Sequence, residues 1–132
     1  MIVVFDTNIL ISALVFPGGQ AEAALMRILS GADRLAISKE LLGELLTVLA
    51  RKFSRDREEL SRVAFWMSEL AEWVTPTRRI NAVVDEPDNR VLECAVAAKA
   101  SVIVSGDKAV LRLQLFEGVR IVSLRDYLSA AP

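Results

Sequence analysis

The stretch Ile2-Val3-Val4-Phe5-Asp6-Thr7-Asn8 decides the fold. Four apolar residues run without alternation, the pattern of a strand buried on both faces. An acid follows at once, and Asn8–Val15 then reads as a helix, broken by Pro17-Gly18-Gly19. Beyond it, Gln20–Ser30 is Ala- and Leu-rich and helical, with Gly31 as its stop. Leu35-Ala36-Ile37 is a short strand, and Ser38 caps a helix running to about Ala50. Asp56 with Glu59 makes a capping-box-like start for a helix reaching about Trp73, striped by Leu60, Val63, Ala64, Met67, Leu70 and Ala71. Val74-Thr75-Pro76 is a candidate strand and Thr77–Pro87 a polar loop. Asp88–Ala100 reads as a helix, Val102–Val104 as a strand and Asp107–Leu115 as a further helix. Arg120-Ile121-Val122 is the last strand, before a helix capped at Ser123. Strands alternating with helices through short connectors imply a parallel sheet covered by helices on both faces. No repeat or linker interrupts residues 1–132, so a single α/β domain is expected.

Composition narrows the chemistry. Apolar residues make up 53% of the 132, and charged residues 25%, the balance of a chain that packs a core. There is no histidine and one cysteine, Cys94. A Ser-His-Asp triad, a Cys-His pair and an imidazole base are therefore excluded, as are an internal disulfide and a cysteine cage for zinc. Catalysis would have to run on carboxylates, hydroxyls, amides, lysine or arginine. Sixteen basic against seventeen acidic residues give a net charge of −1, so bulk charge alone would not draw the chain to nucleic acid. The sparse cysteine usage, the five-residue apolar start without a basic lead-in and the absence of an eighteen-residue apolar run lead to the expectation of a cytoplasmic protein with no membrane span.

In open parallel sheets, ligands collect beyond the carboxyl ends of the strands. Asp6 follows the first strand, and Asp107 follows the Val102–Val104 strand in Val104-Ser105-Gly106-Asp107. Either acid alone would serve equally as a helix cap; two at equivalent strand ends, each beside small or hydroxyl residues, favour a site. Asp88 stands in the densest acidic patch, Asp85-Glu86-Pro87-Asp88-Asn89, at a helix N-terminus that tolerates negative charge. Glu44 lies just outside the apolar arc of Leu41, Leu42, Leu45, Leu46, Val48 and Leu49, whereas Glu40 lies further into solvent. Carboxylates gathered on one spot repel one another unless a cation joins them, and oxygen ligands without histidine or cysteine suit Mg²⁺ or Mn²⁺. The usual work of such a cluster is phosphoryl transfer.

Taken together, Phe5-Asp6-Thr7-Asn8, Glu44 in Ser38-Lys39-Glu40-Leu41-Leu42-Gly43-Glu44-Leu45, Asp85 to Ala95, and Ile103-Val104-Ser105-Gly106-Asp107-Lys108 resemble a PIN domain. The likeness covers nearly the whole chain and is strongest to VapC-like toxin ribonucleases. Asp-Thr-Asn alone would be a weak motif, but four acids in order with matching strand and helix contexts are a strong one. The resemblance implies a Rossmann-like, three-layer α/β/α sandwich around a central parallel sheet of four to five strands. It also implies a Mg²⁺- or Mn²⁺-dependent endoribonuclease, the toxin of a type II toxin–antitoxin pair, with RNA as substrate, an antitoxin as partner and a homodimer as assembly. Asp6, Glu44, Asp88 and Asp107 would be the metal-binding catalytic acids, some acting through water. Asn8, Ser105 and Thr7 would support them, with Asp85 in reserve for Asp88. The rival class is a catalytically idle module of the same fold that acts by binding protein or RNA.

Other phosphoryl-transfer families fit less well. A haloacid-dehalogenase-like phosphatase needs an acid where Asn8 stands, and a receiver domain needs one where Ser38 ends the middle strand. No glycine-rich phosphate loop is present. For gripping RNA, Arg51 and Lys52 flank the helix of Glu44, Arg78 and Arg79 precede Asp85, and Lys108 adjoins Asp107. Trp66 and Trp73, seven apart, would share a helix face. That face serves as extra core burial, a dimer contact or an antitoxin groove.

Overall fold

The computed structural model describes residues 1–129; residues 130–132 of the expected 1–132 domain lie outside the described residues. Six strands form a sheet in the order β3-β2-β1-β4-β6-β5. These are β1 (Ile2–Phe5), β2 (Arg34–Ile37), β3 (Glu72–Trp73), β4 (Val102–Val104), β5 (Leu115–Phe116) and β6 (Val119–Val122). All neighbours run parallel except the β5–β6 hairpin. The helices are α1 (Thr7–Val15), α2 (Gln20–Leu29), α3 (Lys39–Phe53), α4 (Arg57–Leu70), α5 (Glu86–Ala98), α6 (Lys108–Leu111) and α7 (Leu124–Ser129). The result is the expected α/β/α sandwich, with one strand more than the sequence suggested.

The central strands are buried on both faces, as their unbroken apolar runs require: Val3, Val4, Phe5, Leu35, Ile37, Ile103 and Val104 are all but inaccessible. Helix starts follow side-chain capping. The carboxylate of Asp6 accepts from Asn8 N, Ser38 Oγ from Leu41 N, Asp56 from Glu59 N, and Asp107 from Ala109 N and Val110 N. No single described helix is long and apolar enough to cross a membrane.

Four boundaries differ most from expectation, three of them for a tertiary reason. α3 runs past Ala50 to Phe53, whose ring meets Phe16 edge to face at 6.0 Å. α4 stops at Leu70 because Glu72 and Trp73 pair with Ala36 and Ile37 as the edge strand β3, two residues before the expected Val74–Pro76 strand. Trp73 is therefore not on the helix and shares no face with Trp66; it is 46% exposed on the edge, while Trp66 packs against the core. The expected helix Asp107–Leu115 shrinks to one turn, since Leu115–Phe116 turns back onto β6. Glu117 (φ 48°) and Gly118 (φ 86°) supply the two left-handed residues of a two-residue hairpin turn. Finally, α5 starts at Glu86, with Pro87 in its first turn, where a missing N–H costs nothing.

A polar anchor fastens the end of the fold opposite the strand carboxyl ends. Buried Asp33, just before β2, accepts from Tyr127 Oη on α7 at 2.5 Å, from Arg27 Nε on α2 at 3.1 Å and from the Met1 amino group at 3.1 Å. Phe5 meets the Tyr127 ring edge to face at 5.8 Å, so one residue of α7 joins the apolar core to this ion cluster. Tyr127→Phe keeps the ring and removes one hydrogen bond to a buried charge. Chemical denaturation should show a loss of about 1.5–3 kcal/mol, and an unchanged midpoint would remove Asp33 from the list of structural anchors.

Candidate active site

Parallel pairing of β1 with β4 sets Phe5 beside Val104, so the residues after both strands emerge on one rim. Asp6 N donates to Val104 O at 2.9 Å, which continues the ladder past the strand end. Ser105 Oγ donates to Asp6 Oδ2 at 2.8 Å and accepts from Asp107 N at 3.0 Å. One fully buried hydroxyl thus ties the two strand-end acids together. Asp6 is only 4% exposed, and its other oxygen caps α1 through Asn8 N at 3.2 Å.

Two helices complete the rim. α5 brings Asp88 in its first turn, and α3 brings Glu44, Val48 and Lys52, spaced four residues apart on one side of the helix. Together with Asp6, Thr7, Asn8, Asp85, Pro87 and Asp107 these residues line a cavity of about 180 Å³. All four expected acids and Asp85 therefore border one space, and Asp85 adds to Asp88 instead of replacing it. Asp85 is the N-cap residue of α5, yet its side chain caps nothing.

Of the expected supporting residues, Ser105 bridges Asp6 and Asp107, Thr7 is buried at the start of α1, and Asn8 is exposed at the cavity mouth. The basic residues divide. Lys52 lines the cavity, whereas Arg51 is exposed beside it without bordering it. Arg78 is held in a two-pronged pair with Glu117 (2.5 and 3.0 Å), away from the cavity, and Arg79 lies 3.9 Å from Glu86. Lys108 is exposed at the start of α6.

The sequence did not point to Asn89. Its side chain is fully buried, accepts from Ala82 N (2.9 Å) and Val83 N (3.0 Å), and donates to Val83 O (2.8 Å) and Glu86 Oε1 (3.2 Å). Glu93 accepts from Ile80 N at 2.8 Å, and Arg90 donates to Ile80 O at 3.1 Å. Segment 80–85 is thus clamped along α5, which fixes Asp85 relative to Asp88. The available signal was an asparagine, a poor helix former, one step inside a helix start.

Electrostatically the site is crowded. Burial raises the Asp6 carboxyl above its ordinary value, partly offset by the Ser105 and Asn8 hydrogen bonds, with Asp107 and Asp85 adding to the rise. Burial, then repulsion from Asp6, Asp107 and Asp85, pushes Asp88 up to about 7. Asp88 is 7% exposed, and its Oδ2 has no hydrogen-bond partner. A buried, unpartnered carboxylate oxygen among other acids suits an oxygen-loving cation. Among the described residues, no three acids stand close enough to hold one ion directly. That spacing agrees with Mg²⁺, which generally takes one or two carboxylates and keeps several waters.

A carboxyl raised from 3.8 to about 7 keeps, in the folded state, a proton that the unfolded chain has lost. Stability must fall as pH rises through that interval, and the deficit is complete above it. In chelator, Asp88→Asn should gain about 2–3 kcal/mol on wild type between pH 5 and pH 8, and stand above it at pH 8. Thermal melts at the two pH values read this directly; a variant no more stable than wild type at pH 8 would contradict the crowding.

Comparison with known proteins agrees with this geometry. The family model of the PIN domain matches residues 2–109. An uncharacterised protein of Methanocaldococcus jannaschii is 29% identical over 116 residues, covering 85% of this chain and 74% of the relative. Among solved structures, VapBC-1 from nontypeable Haemophilus influenzae has a chain of like fold (TM-score 0.68, 18% identity, 95% of this chain and 99% of that one). VapBC2 from Rickettsia felis, bound to a DNA fragment from its promoter, gives a TM-score of 0.67 at 18% identity, over 93% and 98% of the two chains. FitAcB from Neisseria gonorrhoeae gives 0.58 at 12% identity, over 93% and 98%. With a family match spanning the sheet core and every acid of the rim, the chain belongs to the PIN domain family.

Proposed function

We propose that this protein is a divalent-metal-dependent endoribonuclease, acting as the toxin of a toxin–antitoxin pair. The observation that carries the reading is the buried Asp88 carboxylate, with one oxygen unpartnered, set among Asp6, Glu44, Asp85 and Asp107 around one cavity at the strand carboxyl ends. Asp6, Glu44, Asp88 and Asp107 would hold Mg²⁺ or Mn²⁺, one or two of them directly and the others through water. When bound, such an ion polarises a phosphodiester and makes water a nucleophile at neutral pH.

The chain's own residues do the rest. Ser105 fixes the orientation of Asp6 and ties it to the backbone of Asp107, so both acids keep their places as charge enters and leaves. The Asn89 clamp holds Asp85 in place relative to Asp88. Glu44 approaches from a separate helix, which leaves the cavity open between α3 and α5 for a strand of RNA. The VapBC-like fold supports an antitoxin as partner, and the motif resemblance to VapC-like toxins implies a homodimer as assembly and the cytoplasm as location.

Purified wild type should cut RNA in Mn²⁺, Asp6→Asn should not, and Ser105→Ala should lose about 10–100-fold. Mn²⁺ should also raise the melting temperature of wild type but not that of Asp88→Asn. Equal cleavage by wild type and Asp6→Asn would remove the activity from this site. A protein that binds Mn²⁺ through these acids yet cuts no RNA would instead be a binding module.

A further inference from the structure

The cavity that carries the acids has one cationic side chain on its wall, Lys52. Arg55, Arg62, Arg78, Arg79 and Arg90 each lie against a glutamate. Lys52 makes no ion pair among the described residues, although its neighbours on the cavity wall are largely acids. Its ammonium is exposed and available to an incoming anion.

Helix geometry says which anion. Glu44 and Lys52 are eight residues apart on α3, about 12 Å along the helix axis, with Val48 between them on the same wall. Both side chains lean back toward the helix N-terminus, and the longer lysine stem shortens the separation but does not close it. A phosphate seated against the acids would therefore leave Lys52 opposite the next phosphate of the same strand. A compact ammonium is suited to that contact, since it meets phosphate as a point charge without demanding one orientation.

Resting on the nuclease reading, we propose that Lys52 grips a phosphate flanking the scissile one, so that the site selects RNA longer than a dinucleotide. The protein-borne positive charge offsets the acidic wall along the path of the strand and sets the register of cleavage relative to a neighbouring nucleotide.

The test compares wild type, Lys52→Gln and Lys52→Arg on an RNA oligonucleotide and on a dinucleoside monophosphate, whose single phosphate is the scissile one. On the oligonucleotide, Lys52→Gln should raise KM about 3–10-fold with kcat within about twofold, and the salt slope of binding should fall by about one. Lys52→Arg should restore both. On the dinucleoside monophosphate the penalty should vanish. An equal penalty on both substrates would place Lys52 at the scissile phosphate and overturn the proposal. So would a lowered melting temperature with unchanged KM, which is the mark of a charge that only completes the α3 C-terminus. If wild type cuts no RNA, the nuclease reading fails on that result alone. Anisotropy of labelled RNA in Ca²⁺ then still reads the contact, and equal affinity for wild type and Lys52→Gln would overturn it.

Discussion

The hydroxyl of Ser105 is the point on which the site turns. It lies just beyond β4, fully buried, and joins the side chain of Asp6 to the backbone of Asp107. Parallel pairing of β1 with β4 makes this link possible, because only parallel neighbours bring both carboxyl ends to the same rim. Burial and the half-buried Asp107 both disfavour the charge on Asp6, and the fold opposes them with the hydrogen bonds to Asp6 from Ser105 and Asn8. No such bond reaches Asp88 Oδ2, and burial with repulsion from Asp6, Asp107 and Asp85 pushes that carboxyl up to about 7.

A site of this kind is unstable by construction. The sheet keeps its acids in place through the packing of Val3, Val4, Phe5, Ile103 and Val104 beneath them and the Asp33–Tyr127–Arg27 cluster at the far end. On the α5 side, segment 80–85 is held by polar contacts to α5 as well as by the burial of Ile80 and Val83. Asn89 and Glu93 are buried, and each closes backbone groups of that segment that would otherwise lack partners. The acidic cavity therefore has one wall fixed by the hydrophobic core and another fixed by hydrogen bonds as well as burial.

Local patterns were legible where one interaction dominates. The apolar runs of β1, β2 and β4 and the caps at Asp6, Ser38, Asp56 and Asp107 depend on residues adjacent in sequence, and the structure has them where the sequence put them. At the sheet edges local pattern and structure part. Glu72 and Trp73 continue a helical period, yet pairing with β2 takes them out of the helix. Leu115 and Phe116 likewise leave a helical pattern for the hairpin with β6. The edge strand β5 pairs with the next strand across a two-residue turn, whereas β3 gains its hydrogen bonds from β2, 36 residues earlier, so no local window contains the deciding term for β3. The pairing of Arg78 with Glu117, 39 residues apart, was hidden for the same reason.

The sequence by itself determined the chemistry open to this protein: oxygen ligands in place of imidazole or thiolate, and acids placed directly after strands. Those are matters of residue identity and nearest neighbours, which the chain carries without folding. Only the tertiary structure decided that Asp85 joins the other four acids on one cavity, that Asn89 holds the acidic loop, and that Lys52 alone among the basic candidates borders the cavity. Each of these depends on the relative placement of α3, α5 and the sheet. That placement is set by the sum of many weak packing contacts and a few buried hydrogen bonds, not by any single stretch of sequence.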